Sequence, residues 1–189
     1  MKKVLCFFVL SVMFFTVGCT ANQSATKDVF EESTVAEGDK KAEEPSIQVI
    51  SAGDVITGTN CEITIKSVNL SYDVLPDDTS GFYTHYPASP GKVLVDVDVD
   101  VKNTAKQNLS CDEIMKVTAD YNDGYTYTGY AIVDDSTAGF TYANISQVDP
   151  LETKGMRYLI DCPEEVEQTT NPLFLIFTLD QKDYKFVIR

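Results

Sequence analysis

The stretch from Lys92 to Asn103 restricts the fold of this chain more than any other. Every second residue from Val93 to Val101 is a valine, and the positions between them hold one leucine and three aspartates. Successive side chains of a strand point to opposite faces, so this order places all the valines on one face. In a helix the same valines would be scattered around the axis and crowded at χ1. The pattern predicts a half-buried β-strand with Asp96, Asp98 and Asp100 facing solvent.

Other alternating segments, separated by turn residues, recur along the rest of the chain. They are residues 49–56, 61–75, 115–121, 125–133, 156–162, 173–179 and 184–189. No segment repeats apolar residues at the helical period. Many short strands with frequent turns are typical of an antiparallel sandwich or barrel, so the predicted class is an all-β sandwich.

Two local signals define details of these strands. The apolar phase of residues 61–75 changes face near Lys66 and Ser67, which predicts a β-bulge there. Asn122-Asp123-Gly124 separates two alternating segments, and Asp-Gly supplies the positive φ values of a type I′ turn. We therefore predict a hairpin of residues 115–121 and 125–133. A second hairpin is expected from residues 173–179 and 184–189.

The N-terminus has the layout of an export signal. Lys2 and Lys3 precede an uncharged apolar run that is too short to span a bilayer. The run ends in Thr16-Val17-Gly18-Cys19, which resembles the lipobox of bacterial lipoproteins, although Thr16 replaces the usual leucine. The resemblance implies a signal peptide over 1–18, acylation of Cys19 (with chains such as palmitate) and attachment to the outer face of the cell membrane. An ordinary secretory signal or a retained anchor helix is the alternative.

The segment after Cys19 differs in composition from the rest. Residues 19–46 are rich in Ala, Ser, Thr, Glu, Asp and Lys and contain few large apolar residues. Such a segment buries too little surface to offset its ordering entropy, so we expect a disordered acidic tether. The predicted domains are the signal peptide 1–18, the lipidated tether 19–46 and a sandwich over 47–189.

The charge of the chain excludes one class of partner. The formal net charge is −14, and cleavage before Cys19 would change it to −16, because Lys2 and Lys3 leave with the signal peptide. Nucleic-acid affinity depends on cationic side chains that displace counterions. Nucleic acid is therefore not an expected partner, whereas a cationic partner fits the charge.

Three cysteines remain in the mature chain after Cys19, namely Cys61, Cys111 and Cys162. None has the spacing of a redox motif or a zinc knuckle. Outside the cytoplasm one disulfide can form, and three pairings are open. Cys61 and Cys162 lie on apolar strand faces, whereas Cys111 follows a polar connection that adjusts easily. We favour a bridge between Cys111 and Cys162.

The residues that resemble catalytic or metal-binding groups are better explained otherwise. Asp96, Asp98 and Asp100 match the first acidic positions of an EF-hand loop, but alternate strand residues lie ~7 Å apart and cannot converge on one ion. His85 is the single histidine, which excludes sites that need several imidazoles. No Gly-x-Ser-x-Gly elbow is present. We predict no cofactor, no metal and no catalytic residue.

One loop carries the aromatic residues that are suited to binding. Between Pro76 and Gly91 lie Phe82, Tyr83, His85 and Tyr86. Loops at the ends of sandwiches often carry function, and tyrosines combine an apolar face with a polar tip. We take this loop as the candidate ligand site, for a protein or a cell-wall glycan.

The order of these elements resembles a known group of proteins. The matching motifs are the Glu62–Val68 strand, the Gly91–Asn103 strand, the Asn122–Gly124 hairpin, the Pro150-Leu151 loop and the Tyr158–Pro163 strand end. They resemble the uncharacterised immunoglobulin-like domains of lipoproteins from Gram-positive, clostridial-type bacteria, which are similar in fold to a small secreted mycobacterial antigen. The resemblance covers roughly residues 50–189 and implies an immunoglobulin-like β-sandwich without catalytic residues.

The function expected from these observations is that of a surface-anchored, non-catalytic binding or interaction module. Two alternatives stay open. One is a small-molecule carrier or sensor with a pocket between its sheets, and the other is a hydrolase that uses His85.

Overall fold

In the computed structural model the described residues are 47–189, which form strands joined by turns, one 3₁₀ turn (Ala143–Ile145) and one short helix. In chain order the elements are β1 (Gln48–Ile50), β2 (Val55–Thr57), β3 (Cys61–Ser71), β4 (Asp73–Val74), β5 (Tyr86–Pro87), β6 (Lys92–Asn103), β7 (Leu109–Ser110), β8 (Lys116–Tyr121), β9 (Tyr125–Thr128), β10 (Tyr130–Asp135), β11 (Gly139–Tyr142), β12 (Gln147–Val148), β13 (Thr153–Pro163), α1 (Glu165–Gln168), β14 (Leu173–Leu179) and β15 (Lys182–Val187).

The strands form two large sheets that enclose one core. One sheet has the order β1-β15-β14-β8-β9, and the other has the order β11-β10-β13-β6-β3-β2. All neighbours are antiparallel except β1 and β15. The run β3-β6-β13-β10 corresponds to strands A, B, E and D of an immunoglobulin fold, and β8-β14-β15 corresponds to C, F and G. The predicted all-β, antiparallel β-sandwich is confirmed.

Strand β6 lies at the centre of the larger sheet, between β3 and β13. Its valines from Val93 to Val101 are fully buried and face the inner side of the other sheet, where Leu175 and Phe177 are also fully buried. At ~25 cal/mol per Å² of apolar surface, each buried valine stabilises the fold by about 1.5 kcal/mol or more. The alternation that predicted this strand therefore forms the core.

The opposite face of β6 is not the solvated surface that the sequence predicts. Residues 72–91, here called the cover segment, fold back across it, and Val74 of this segment packs on Leu94 in a second apolar cluster. Asp96 and Asp98 are each only 7% exposed as a result. On this face only the two ends of β6 approach solvent, with Lys92 at its start and Asp100 and Lys102 at its far end. The prediction of exposed aspartates is wrong for Asp96 and Asp98, because a non-local segment covers them.

The local predictions agree better with the structure. The register of β3 against β6 shifts between Ile65 and Ser67, which confirms the bulge. Strands β8 and β9 form the predicted hairpin, but the loop has three residues with positive φ, Asn122, Asp123 and Gly124, instead of a two-residue Asp-Gly turn. The expected strand 125–133 is also divided. It crosses from one sheet to the other at Gly129, where a Cβ would lie 2.7 Å from Ile160 Cγ1.

The cysteines are not joined as predicted. Within the part of the chain that the structure describes, Cys61, Cys111 and Cys162 are free, buried thiols. Cys162 pairs with Val93 at one end of β6. The short strand just before Cys111 pairs with β12, which is held to Asn103 at the other end of β6. Roughly 33 Å of extended strand separates the two ends, whereas a disulfide needs Cα atoms within about 7 Å.

The predicted signal peptide, Cys19 and the tether lie outside the described residues. Within residues 47–189, no helix has the length and apolar character needed to span a bilayer.

Candidate functional site

The most highly charged feature of the structure is a buried arginine surrounded by carboxylates. Arg157 lies on β13, is 6% exposed, and pairs across the sheet with Asp98. Its Nη2 atom lies 3.0 Å from Asp77 Oδ1 and 3.5 Å from Asp98 Oδ2, and its Nη1 atom lies 3.3 Å from Asp96 Oδ2. Its Nε atom lies 3.7 Å from Asp134 Oδ1. The guanidinium thus neutralises part of a cluster of four acids.

These acids are not fully compensated. Burial raises the pKa of Asp96 and Asp134, although the charge of Arg157 acts in the opposite direction. Asp96 Oδ1 and Asp98 Oδ1 are buried and have no hydrogen-bond partner among residues 47–189. Lys66 Nζ lies 3.3 Å from Asp98 Oδ1, so this oxygen has a charged neighbour even though the pair lacks hydrogen-bond geometry. The cluster keeps an excess of negative charge.

A surface cleft lies beside this cluster. It has a volume of about 640 Å³ and is open to solvent, and we call it the acid cleft. Asp77 and Asp78 of the cover segment form one wall, and Asp134 and Asp135 at the end of β10 form another. Lys154 of β13 also lines it. The acid cleft therefore presents four carboxylates and one ammonium group.

Two of these carboxylates are held in their ionised form. Hydrogen bonds from the side chain and the backbone of Ser80 lower the pKa of Asp78. Asp135 Oδ1 accepts hydrogen bonds from Thr137 Oγ1 at 2.6 Å, Thr137 N at 2.7 Å and Ala138 N at 3.0 Å, which lower its pKa. A carboxylate stabilised by such donors stays negative at neutral pH.

The structure separates the residues of the predicted ligand loop. Phe82 lines the acid cleft and is 88% exposed, so its ring contributes little to the packing of the fold. Tyr86 is half-buried, with its ring 5.8 Å from that of Phe140. Tyr83 stacks edge-on against His85, with 6.1 Å between ring centroids. The loop contributes one exposed aromatic ring to the cleft, while Tyr86 packs against the second apolar cluster.

His85 does not form a catalytic triad in the described residues. Its Nδ1 atom lies 2.6 Å from Asp73 Oδ1, and both side chains are almost half exposed. In that part of the chain no serine hydroxyl hydrogen-bonds the ring. Residues 47–189 also contain no group of three His, Cys, Asp or Glu side chains placed to hold a metal ion.

Much of the acid cleft could not be found from the sequence. Asp77 and Asp78 lie in the predicted loop, but Asp134, Asp135 and Lys154 come from distant strands that only the topology brings together. Arg157 stands between the inward-facing Met156 and Tyr158. A lone arginine on the outer side of a strand in so acidic a chain was the one available signal.

Comparison with known proteins gives a structural relative. The crystal structure of an uncharacterised β-sandwich protein from Clostridium difficile 630 is 48% identical and has a TM-score of 0.75, and the match covers 79% of this chain and 99% of that one. A conserved hypothetical protein from Bacillus anthracis has a TM-score of 0.50 at 15% identity over 75% of this chain and 95% of that one, which supports the fold alone. No protein-family model matches the chain, and no curated protein is similar to it.

Proposed function

This chain belongs to the same family as the β-sandwich protein of Clostridium difficile, and we propose that it is a lipid-anchored binding module whose acid cleft takes a basic segment of a partner protein. The observation that carries the proposal is the combination of ionised Asp78 and Asp135 with the exposed ring of Phe82 in one open cleft. Carboxylates pair with arginine and lysine side chains, and an aromatic face adds a cation–π contact.

The fold already shows how these groups hold a guanidinium. Arg157 is paired with four aspartates and lies 5.9 Å from the centroid of the Phe140 ring. At the surface, an external cation would meet the same two kinds of group, namely the carboxylates of Asp78 and Asp135 and the aromatic ring of Phe82. A metal ion fits less well, because it needs several oxygens that converge on one point.

The charge of the whole chain supports the same class of partner. A net charge of −14 attracts basic proteins over a distance of about 10 Å at moderate salt and repels nucleic acids. Attraction of this kind raises the association rate more than the final affinity. We therefore expect binding that weakens steeply with ionic strength.

The acid cleft can be tested with synthetic peptides. A hexa-arginine peptide should bind the wild-type protein, measured by calorimetry at low salt, and a hexa-glutamate peptide should not. Asp78→Asn combined with Asp135→Asn should weaken binding about tenfold, since it removes two charge-assisted contacts at roughly 0.7 kcal/mol each. Phe82→Ala should weaken it about two- to fivefold, the range for an exposed cation–π pair.

The control for this test is Asp123→Asn, which removes an exposed charge from the β8–β9 hairpin and not from the cleft. It changes the net charge by one without changing the site. If this control weakened peptide binding as much as the cleft variants, the peptide would be responding to overall charge and the cleft proposal would be wrong.

The lipid anchor is supported by Gly18, Cys19 and the short apolar run before them. We predict that the wild-type protein fractionates with membranes and incorporates labelled palmitate, because several acyl chains give a stable anchor. Cys19→Ser should abolish the label and leave the protein either unprocessed or released. Cys6→Ser, inside the signal peptide, is the control and should change neither. A Cys19→Ser protein that still carried label would contradict the prediction.

A further inference from the structure

A second cavity, separate from the acid cleft, opens on the sandwich where β8 begins and where the chain crosses from β9 to β10. It has a volume of about 370 Å³, and we call it the tyrosine cavity. It shares no lining residue with the acid cleft. Its principal lining residues are Asp112, Met115, Tyr130, Tyr142, Asn144 and Tyr158. We propose that the tyrosine cavity binds a pyranose ring of a neutral saccharide.

The inner lining of the cavity is rigid, and it is apolar apart from the buried hydroxyl of Tyr158, which has no hydrogen-bond partner within residues 47–189. Tyr158 is 2% exposed, Ala143 is 3% exposed and Met115 is 7% exposed, and all three belong to the main core. Side chains packed in this way do not have to be ordered when a ligand binds, so little conformational entropy is lost. The cavity is preformed.

The outer lining consists of large rings that the fold leaves in solvent. Tyr142 is 66% exposed and Tyr130 is 44% exposed, and the neighbouring Ile145 is 74% exposed. Exposed apolar side chains that are clustered, in contrast to isolated ones, mark interaction surfaces. Tyrosine rings supply a broad contact area and lose little entropy when they are covered.

Polar groups at the rim define the class of ligand. Asp112, Lys116 and Asn144 are exposed and line the cavity. Asp112 Oδ1 accepts a hydrogen bond from Ser110 Oγ at 2.7 Å. A pyranose ring has an apolar face that stacks on tyrosine and hydroxyls at its edge that pair with carboxylate and amide groups. A hydrocarbon chain would form no hydrogen bonds with these rim groups. The volume lies near the lower limit of small-molecule sites, which limits the ligand to one or two rings.

This site does not depend on the acid cleft, and its test is separate. The probes are strands of chitin, an insoluble neutral polymer of N-acetylglucosamine, and the soluble disaccharides of the same sugar. Binding is measured by co-sedimentation for the strands and by calorimetry for the disaccharides. Binding of the disaccharides shows that free sugar suffices. If only the strands bind, the sugar ring is recognised within a polymer. The proposal then requires that Tyr142→Ala weaken binding to the strands.

The decisive variant is Tyr142→Ala, with Tyr125→Ala as a matched control. Tyr125 is 61% exposed and lies on β9, but it does not line the cavity. Tyr142→Ala should weaken saccharide binding at least tenfold, Tyr125→Ala should leave it unchanged, and thermal melts should show both variants folded. The proposal is overturned if neither probe binds the wild-type protein, or if the two variants bind alike.

Discussion

Replacing Arg157 with Met should lower the free energy of unfolding by about 3–5 kcal/mol, the cost of breaking a buried ion pair. The substitution keeps most of the apolar volume but leaves Asp96 and Asp98, each 7% exposed, without their central counter-charge. Urea denaturation followed by circular dichroism measures the change. The loss should shrink as pH falls through the raised pKa of Asp96, because protonation then removes the uncompensated buried charge.

Lys102→Met is the matched control. Lys102 Nζ lies 3.2 Å from Glu62 Oε2, and both side chains are 42–50% exposed. Exposed pairs contribute about 0–1 kcal/mol, so this variant should remain close to the wild type. Equal losses in the two variants would mean that Arg157 acts as an ordinary surface charge. In that case the description of a buried charge cluster would be incorrect.

Asn103→Ala should lower the free energy of unfolding by about 3 kcal/mol, because one fully buried amide joins the connection after β6 to strand β12 through three hydrogen bonds. Asn103 Nδ2 donates hydrogen bonds to Gln107 O and Val148 O, each at 2.8 Å. Its Oδ1 accepts one from Ala105 N at 2.8 Å. Each bond contributes about 1 kcal/mol, and its loss leaves a backbone group without a partner. Thermal denaturation monitored by calorimetry measures the effect.

Two further variants separate this network from a general effect of losing an asparagine. Asn69→Ala removes an exposed amide that bonds only Ser67 Oγ at 3.1 Å, and it should change stability by less than about 0.5 kcal/mol. Asn103→Asp keeps the acceptor but sets carboxylate oxygens against two carbonyls, so it should destabilise at least as much as Asn103→Ala. A stable Asn103→Asp protein would show that the two donated bonds contribute little.

The features that could be predicted from the sequence are those that depend on near neighbours. The valine alternation from Val93 to Val101, the phase change at Ser67 and the turn at Asn122 each follow from local geometry, and the structure contains all three elements. The burial of Asp96 could not be predicted in this way. It depends on the path that the cover segment takes across β6. The alternation of residues within β6 carries no information about that path.

The same distinction applies to the candidate site. Phe82 could be identified from the sequence, because aromatic residues in a long loop are visible there, and it does line the acid cleft. Asp134 and Asp135 lie just beyond the predicted strand 125–133, and in the structure they form the end of β10. Their approach to Asp77 requires the crossing at Gly129 and the pairing of β10 with β13. Sites assembled from several strands are determined by topology, which a single sequence shows only in outline.

The aspartates within β6 have a consequence for the chain before it folds. A free segment of alternating valines is among the sequences most prone to assemble into intermolecular sheets, and charges at alternate positions oppose such assembly. Asp96 and Asp98 keep the segment soluble while β13, which follows it in the chain, has not yet paired with it. Correct pairing then brings Arg157 directly opposite Asp98. A register slip of one residue would turn Arg157 toward the apolar core, so the charges that delay aggregation also select the native alignment.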